Sequence, residues 1–134
     1  MQAFVGVSTD PPLVMIAVDK TSRTLADLKV RHSFVINFLK AGSEKTSDLF
    51  ASKSEDKFSD VAWRPSKSAS GAPVLDGPIV AYAECVVEQA LEAGDHWLFV
   101  ARVEGGEVFD GAPLMYYRRT YAAWPLEGPA PVIF

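Results

Sequence analysis

Unbroken apolar runs and alternating runs divide this chain into short elements. Leu13-Val14-Met15-Ile16-Ala17-Val18 is apolar without alternation and follows Pro11-Pro12, a pattern that predicts a strand covered on both faces. Thr21 and Ser22 then offer N-cap hydroxyls. Leu25 and Leu28 follow at the spacing of an amphipathic helix that ends at about Arg31. Ser33 to Leu39 is β-branched and aromatic, with Asn37 as its single amide, and reads as a second strand. Glu44 to Ala51 reads as a second helix. Ser52 to Ser70 is polar and charged, and is expected to form a long loop of the kind that serves as a lid or ligand rim.

Turn residues punctuate the second half. Ala72-Pro73 and Asp76-Gly77-Pro78 precede a long strand from Ile79 to about Gln89, and Ala93-Gly94-Asp95 reverses the chain into a strand from His96 to Glu104. On that return strand Trp97, Phe99, Ala101 and Val103 share one face, expected to be core, while His96, Leu98, Val100, Arg102 and Glu104 share the other. Gly105-Gly106 is expected to turn the chain again into Glu107 to Phe109. Leu114 to Arg118 is the last clear strand, and the residues from 122 to 134, with three prolines after Trp124, are expected to form an extended arm. Strands outnumber helices and their connections are short. The expected fold is therefore mainly β, an antiparallel barrel with two or three short helices rather than a doubly wound sheet.

Composition narrows the function classes. At 134 residues, 49% apolar and 22% charged, the chain has the material for one domain over 1–134 and enough apolar surface to fold. Its net charge of −4 carries no basic stripe, which argues against nucleic acid as a partner. Cys85 is the single cysteine, so neither an internal disulfide nor a cysteine-based zinc site is available, and the two histidines, His32 and His96, are a thin basis for any metal site. No apolar run approaches the roughly 18 residues of a membrane helix. The N-terminus lacks the basic and apolar regions of a signal peptide, and a cytoplasmic location is expected.

One cluster has the chemistry to hold an anion. Lys20-Thr21-Ser22-Arg23-Thr24 lies where a buried strand hands over to a helix, whose first N–H groups and positive dipole end converge there. The hydroxyls of Thr21, Ser22 and Thr24 and the Arg23 guanidinium would add donors around a phosphate. A Ser/Thr helix cap accounts for the same residues in purely structural terms.

Read in order, Gln2-Ala3-Phe4, Asp10-Pro11-Pro12-Leu13-Val14, Ser22-Arg23-Thr24, Phe34-Val35-Ile36-Asn37, Asp56-Lys57-Phe58, Trp63-Arg64-Pro65-Ser66, Gly71-Ala72-Pro73-Val74-Leu75-Asp76-Gly77, Gly94-Asp95-His96 and Pro113-Leu114-Met115-Tyr116-Tyr117-Arg118 resemble the flavin reductase-like family. These are the small NAD(P)H:flavin oxidoreductase components of two-component monooxygenases. The resemblance runs from Gln2 to Tyr121, and it implies an FMN-binding split barrel, an antiparallel Greek-key barrel that is usually homodimeric. It further implies an enzyme that takes FMN or FAD as flavin and NADH or NADPH as reductant, with a flavin-dependent monooxygenase component as partner. A non-catalytic flavin-binding module is the alternative.

Carried over by position, the family's flavin contacts fall on Gln2, Ala3 and Phe4, on Lys20, Thr21, Ser22, Arg23 and Thr24, on Asn37 and, less closely, on Lys57. Its nicotinamide side falls on His96, expected to be catalytic, and on Tyr116, Tyr117 and Arg118. Each has a plainer reading: His96 beside Asp95 as a turn residue, Asn37 as a satisfied strand amide, the two tyrosines as strand aromatics. Two departures stand out. The family carries two further strands before the Gln2 equivalent, which this chain is expected to lack. It also usually places glycine after the arginine of the last motif, where this sequence has Arg119. Either a positive φ there is strained for arginine, or the turn has changed.

Overall fold

The computed structural model describes residues 3–52, 57–58 and 61–123. In chain order the elements are β1 (Ala3–Ser8), β2 (Leu13–Asp19), α1 (Arg23–Arg31), β3 (Ser33–Leu39), α2 (Glu44–Ala51), β4 (Trp63–Pro65), β5 (Pro73–Leu75), β6 (Ile79–Ala93), β7 (His96–Val108), β8 (Leu114–Tyr117) and β9 (Thr120–Ala123). A five-stranded antiparallel sheet has the order β1-β2-β7-β6-β3, and β4-β5 and β8-β9 form separate two-stranded sheets.

The expected strands and helices all form, with their reasons visible. Ser22 caps α1, its hydroxyl accepting the Thr24 N–H, and the helix buries Leu25 and Leu28, the two leucines that signalled it. Phe99 and Ala101 are buried on the face of β7 expected to be core. Four expectations need correction. Gly105-Gly106 does not turn the chain, because β7 runs unbroken to Val108. The reason is steric: a Cβ at Gly105 would stand 2.4 Å from the Glu84 carboxylate, so glycine there makes room within a strand rather than ending one. β6 continues to Ala93, past the expected end at Gln89, so the hairpin turn is Gly94-Asp95 alone. The stretch from Ser52 to Ser70 is not all loop, since Trp63–Pro65 pairs as β4. Leu114 to Arg118 is not the last strand: Arg118 lies in a turn and Thr120–Ala123 returns as β9, so residues 122 and 123, assigned to the arm, are strand. The rest of that arm, from Trp124, lies outside the described residues.

Sequence pattern gave no strand at β1, although its residues carried part of the family resemblance. Phe4, Val5 and Val7 are all about half exposed, so the segment lacks the one-sided alternation that marks a half-buried strand. It forms by pairing with β2, Phe4 opposite Ile16 and Val5 opposite Met15.

The chain divides into two compact units. The first comprises Met1–Ile36, Pro65–Val74 and Ala83–Gly106, and the second Asn37–Arg64, Leu75–Tyr82 and Glu107–Phe134. Within the first, Ile16, Val18, Leu25, Leu28, Phe99 and Ala101 are buried, and β2 lies against β7 in a regular register from Leu13–Arg102 to Asp19–His96. Glu84 is buried there as well. Its Oε1 accepts the N–H groups of Lys67 at 2.7 Å and Ser68 at 3.3 Å, so the carboxylate pins the 67–70 turn that holds the fully buried Ala69. Within the second unit the buried hydrophobics among the described residues are Leu75, Ile79 and Val80, and α2 buries none of its side chains.

Candidate functional site

In the first unit the end of β2 and the start of β7 build one cluster. Asp19 faces His96 across the sheet, and the next residue, Lys20, donates its N–H to the Asp95 carbonyl at 3.0 Å. His96 is thereby fixed at the first position of its strand, one residue after the Gly94-Asp95 turn. Its Nδ1 lies 2.6 Å from the Asp95 carboxylate, while its Nε2 is buried and makes no hydrogen bond to any of the described residues. A buried polar atom with no partner leaves bonding capacity for something else.

The Lys20 to Thr24 segment forms as the sequence suggested, but much of its donor set is already engaged. Thr21 directs its N–H at 2.8 Å and its hydroxyl at 2.7 Å to Asp19 Oδ1. The Ser22 N–H goes to the Asp19 carbonyl and the Thr24 N–H to Ser22 Oγ. Lys20 Nζ pairs with the Glu92 carboxylate on β6. These contacts settle the ionisation of the two acids. The Thr21 N–H bond, then the Thr21 hydroxyl, hold Asp19 below the ordinary carboxylate range, and Lys20 does the same for Glu92, first by its hydrogen bond and then by its charge.

The remaining candidates in this unit are on β1. Phe4 is about half exposed opposite Ile16, and Ala3 pairs with Ala17 at the end of the same ladder. Gln2 lies outside the described residues.

In the second unit the candidates are held separately. Asn37 Oδ1 accepts the Leu75 N–H at 2.9 Å, which ties β3 to β5. Lys57 donates to the Phe50 carbonyl at 2.8 Å. Phe50, Phe58 and Trp63 form an edge-to-face series, with centroids 5.1 and 6.0 Å apart. Tyr116 and Tyr117 lie on β8, Arg118 in the β8-β9 turn, and the Tyr116 ring stands 5.0 Å from Tyr121. Tyr121 in turn donates to Asp48 on α2 at 2.7 Å.

The structure thus brings Lys20 to Thr24 together with His96 in one unit. Asn37, Lys57 and Tyr116 each have their own partner in the other, which also holds Tyr117 and Arg118. Sequence reasoning missed Asp19 and Glu92, and named Asp95 only as the turn residue beside His96. The signal for Asp19 was present in Asp19-Lys20-Thr21, an acid two residues before a hydroxyl residue after a strand, which is where a side chain closes a local turn. Glu92 carried no such local signal, being 72 residues from its partner.

A nicotinamide and a flavin are polar, planar and anionic at their phosphate ends. The unpartnered His96 Nε2 beside a hydroxyl-rich, cationic turn is a donor set that fits such groups. The flavin reductase like domain family matches residues 1–125. The chain belongs to that family, and its mainly β, split-barrel fold is the one expected. The flavin reductase (NADH) of Kitasatospora aureofaciens is 45% identical over 129 residues, which cover 93% of this chain and 66% of that protein. The chain therefore spans about two thirds of that curated relative's length. The crystal structure of a nitrilotriacetate monooxygenase component B homologue from Mycobacterium thermoresistibile superposes with a TM-score of 0.86 at 32% identity, covering 99% of this chain and 74% of that one. The NADH:FAD oxidoreductase of Streptomyces globisporus, in complex with NAD and FAD fragments, gives 0.85 at 31% identity over 94% of this chain and 76% of that one.

Proposed function

We propose that this protein is an NADH- or NADPH-dependent flavin reductase that transfers hydride to FMN or FAD and supplies the reduced flavin to a flavin-dependent monooxygenase. The observation that carries the reading is the cluster of the first unit, in which a buried, unpartnered His96 Nε2 stands on the strand paired with the one that leads into Lys20 to Thr24. The similarity to a flavin reductase (NADH) and to a monooxygenase component supports the reductant and the partner class.

Hydride transfer between the rings is chemistry that nicotinamide and flavin supply themselves when bound. The chain's own part is to hold, orient and exclude water. Ser22, Arg23 and Thr24 lie at the N-terminus of α1, where the dipole favours the flavin phosphate or pyrophosphate. Lys20 and Thr21 reach it by exchanging Glu92 and Asp19 for the incoming anion. By the family resemblance Gln2, Ala3 and Phe4 would lie along the isoalloxazine ring, and Asn37 and Lys57 would be further flavin contacts. His96, its ring position fixed through Nδ1 by Asp95, would offer Nε2 to the nicotinamide. The family resemblance assigns Tyr116, Tyr117 and Arg118 to the same ligand.

The exposed Trp63 and Phe58 supply an apolar surface that a second copy of the chain covers, giving a homodimer. Sedimentation at micromolar concentration tests this, and a monomer would remove it. A reducing, cytoplasmic setting belongs to the same reading.

The decisive assay follows reduced-nicotinamide absorbance with each flavin and each nucleotide. Oxidation that requires added flavin is expected. His96→Ala should lower turnover with little change in flavin affinity, and Arg23→Ala should weaken flavin binding by roughly 1 to 3 kcal/mol. The engaged state of Thr21 and Lys20 favours one alternative, a module that binds flavin without reducing it. Flavin binding with no oxidation of either nucleotide would select that alternative.

A further inference from the structure

The turn that joins β8 to β9 consists of Arg118 and Arg119, and both stand in the left-handed region, at φ 50° and 61°. Tyr117 pairs with Thr120, so this is a two-residue hairpin turn with two consecutive positive φ values. Such a turn twists correctly for a hairpin, and it ordinarily takes Asn-Gly or Gly-Gly, because a Cβ in this region crowds the following carbonyl. Arginine has neither glycine's freedom nor the short side chain that lets asparagine bond locally. The turn also sets two like charges side by side at an exposed tip, in a chain whose net charge is −4.

The other two non-glycine residues with positive φ among the described residues have structural reasons. His32 closes the C-terminus of α1, its N–H bonded to the Leu28 carbonyl at 2.9 Å. Ser70 leads into Gly71 and offers its carbonyl to Arg31 at 3.3 Å. Hairpin geometry explains the conformation at Arg118 and Arg119, but it does not explain arginine. Strain kept where glycine would remove it points to use of the side chain.

The surroundings indicate the use. Tyr116 is 63% exposed and its ring is braced against Tyr121, which Asp48 and Ser47 hold in turn through its hydroxyl. An exposed, braced aromatic ring on a hairpin whose turn carries two arginines supplies the chemistry that recognises a nucleotide, a ring face for the flat group and a planar cation for its phosphates. We propose that Arg119 binds the phosphates of the dinucleotide reductant, and that the strained turn persists because glycine would lose that charge. The proposal rests on the reading above, which assigns Tyr116 to Arg118 to the nicotinamide side.

The test compares the wild type, Arg119→Gly and Arg119→Lys by direct titration of NADH, followed by its fluorescence, alongside turnover and thermal unfolding. Arg119→Gly relieves the turn, so it folds, with a midpoint a few degrees higher, about what one relieved residue yields in a domain of this size. Its NADH dissociation constant is expected to rise about 5- to 20-fold, as for the loss of a charge-assisted bond in an exposed place, with the loss in KM rather than kcat. Arg119→Lys keeps the charge and should bind NADH more tightly than the glycine variant. Raised salt should narrow the difference between wild type and Arg119→Gly. A glycine variant that binds NADH as tightly as the wild type overturns the proposal, whatever its unfolding midpoint. If the wild type binds NADH without reducing flavin, the reductase reading falls and the dissociation constants still decide the role of Arg119. A wild type that does not bind NADH overturns both.

Discussion

The two units carry their chemistry on different kinds of support. In the first, Lys20 to Thr24 and His96 stand at the ends of two core strands, and α1 beyond them is anchored by Leu25 and Leu28. In the second, Lys57 and Tyr121 lean on α2, a helix that buries none of its side chains, and Tyr116 to Arg119 belong to a hairpin of two four-residue strands. The first unit sets its groups before any ligand arrives, with acids of its own in contact with the donors. Among its described residues the second buries few side chains, the property of segments that open locally at low free-energy cost. A phosphate site gains from fixed geometry, whereas a surface that must admit and release a dinucleotide gains from adaptability.

The largest expected effect tests that contrast. Leu28 is 2% exposed, and Leu28→Ala should cost about 2 to 5 kcal/mol, the range for a leucine truncated in a packed core. Phe58 is half-exposed between Phe50 and Trp63 in the aromatic series, and because it is not buried Phe58→Ala should cost no more than about 1 kcal/mol. Urea unfolding of both variants gives the comparison directly. Equal losses would show that the second unit is as firmly built as the first.

A smaller effect probes the buried acid of the first unit. A methyl group at position 105 would fall 2.4 Å from Glu84 Oε2, and Glu84 cannot swing away without releasing the N–H groups of Lys67 and Ser68. Gly105→Ala should therefore destabilise by roughly 1 to 3 kcal/mol, the cost of overpacking or of leaving buried donors unmet. Pairing the change with Glu84→Ala should recover part of the loss from the clash, since the two residues share one space. Additive losses in the double variant would mean that the close approach is not what fixes glycine there.

Much of this architecture was legible where one residue's environment is set by its neighbours in sequence. The apolar run before Asp19, the Ser22 cap and the Leu25 and Leu28 stripe defined β2 and α1 without help from the rest of the chain. The family's chain of motifs extended that reading to a split barrel. What remained hidden depended on distant partners. Gly105 looked like a turn residue because its reason for being glycine is Glu84, on the neighbouring strand. Lys20 looked free to meet an anion because Glu92 is far away in sequence. β1 and β9 were missed as strands because neither shows a one-sided alternation. Arg119 was the reverse case: departure from the family pattern marked it, and its φ of 61° puts an arginine where glycine would be unstrained.

The smallest effect concerns Asp19, the acid that engages the donors of the first unit. Two bonds from Thr21 hold its carboxyl below its ordinary value of 3.8. A depressed folded-state value means that the unfolded chain takes up the proton first as acid is added. The stabilisation from this group is complete above the ordinary value, and it is lost as the pH falls through the lower, folded one. Asp19→Asn keeps an oxygen that can accept the Thr21 bonds and removes only the charge. The variant should be slightly less stable than the wild type at neutral pH, and the gap should close below about pH 4, where unfolded Asp19 begins to protonate. Because the side chain is exposed, salt should shrink the gap as well. Thermal midpoints of both proteins between neutral pH and pH 3, at low and high salt, measure it. A gap that persists unchanged into acid would show that Thr21 is held by shape rather than by the charge on Asp19, and the donors of the first unit would then be open to a phosphate without competition from that acid.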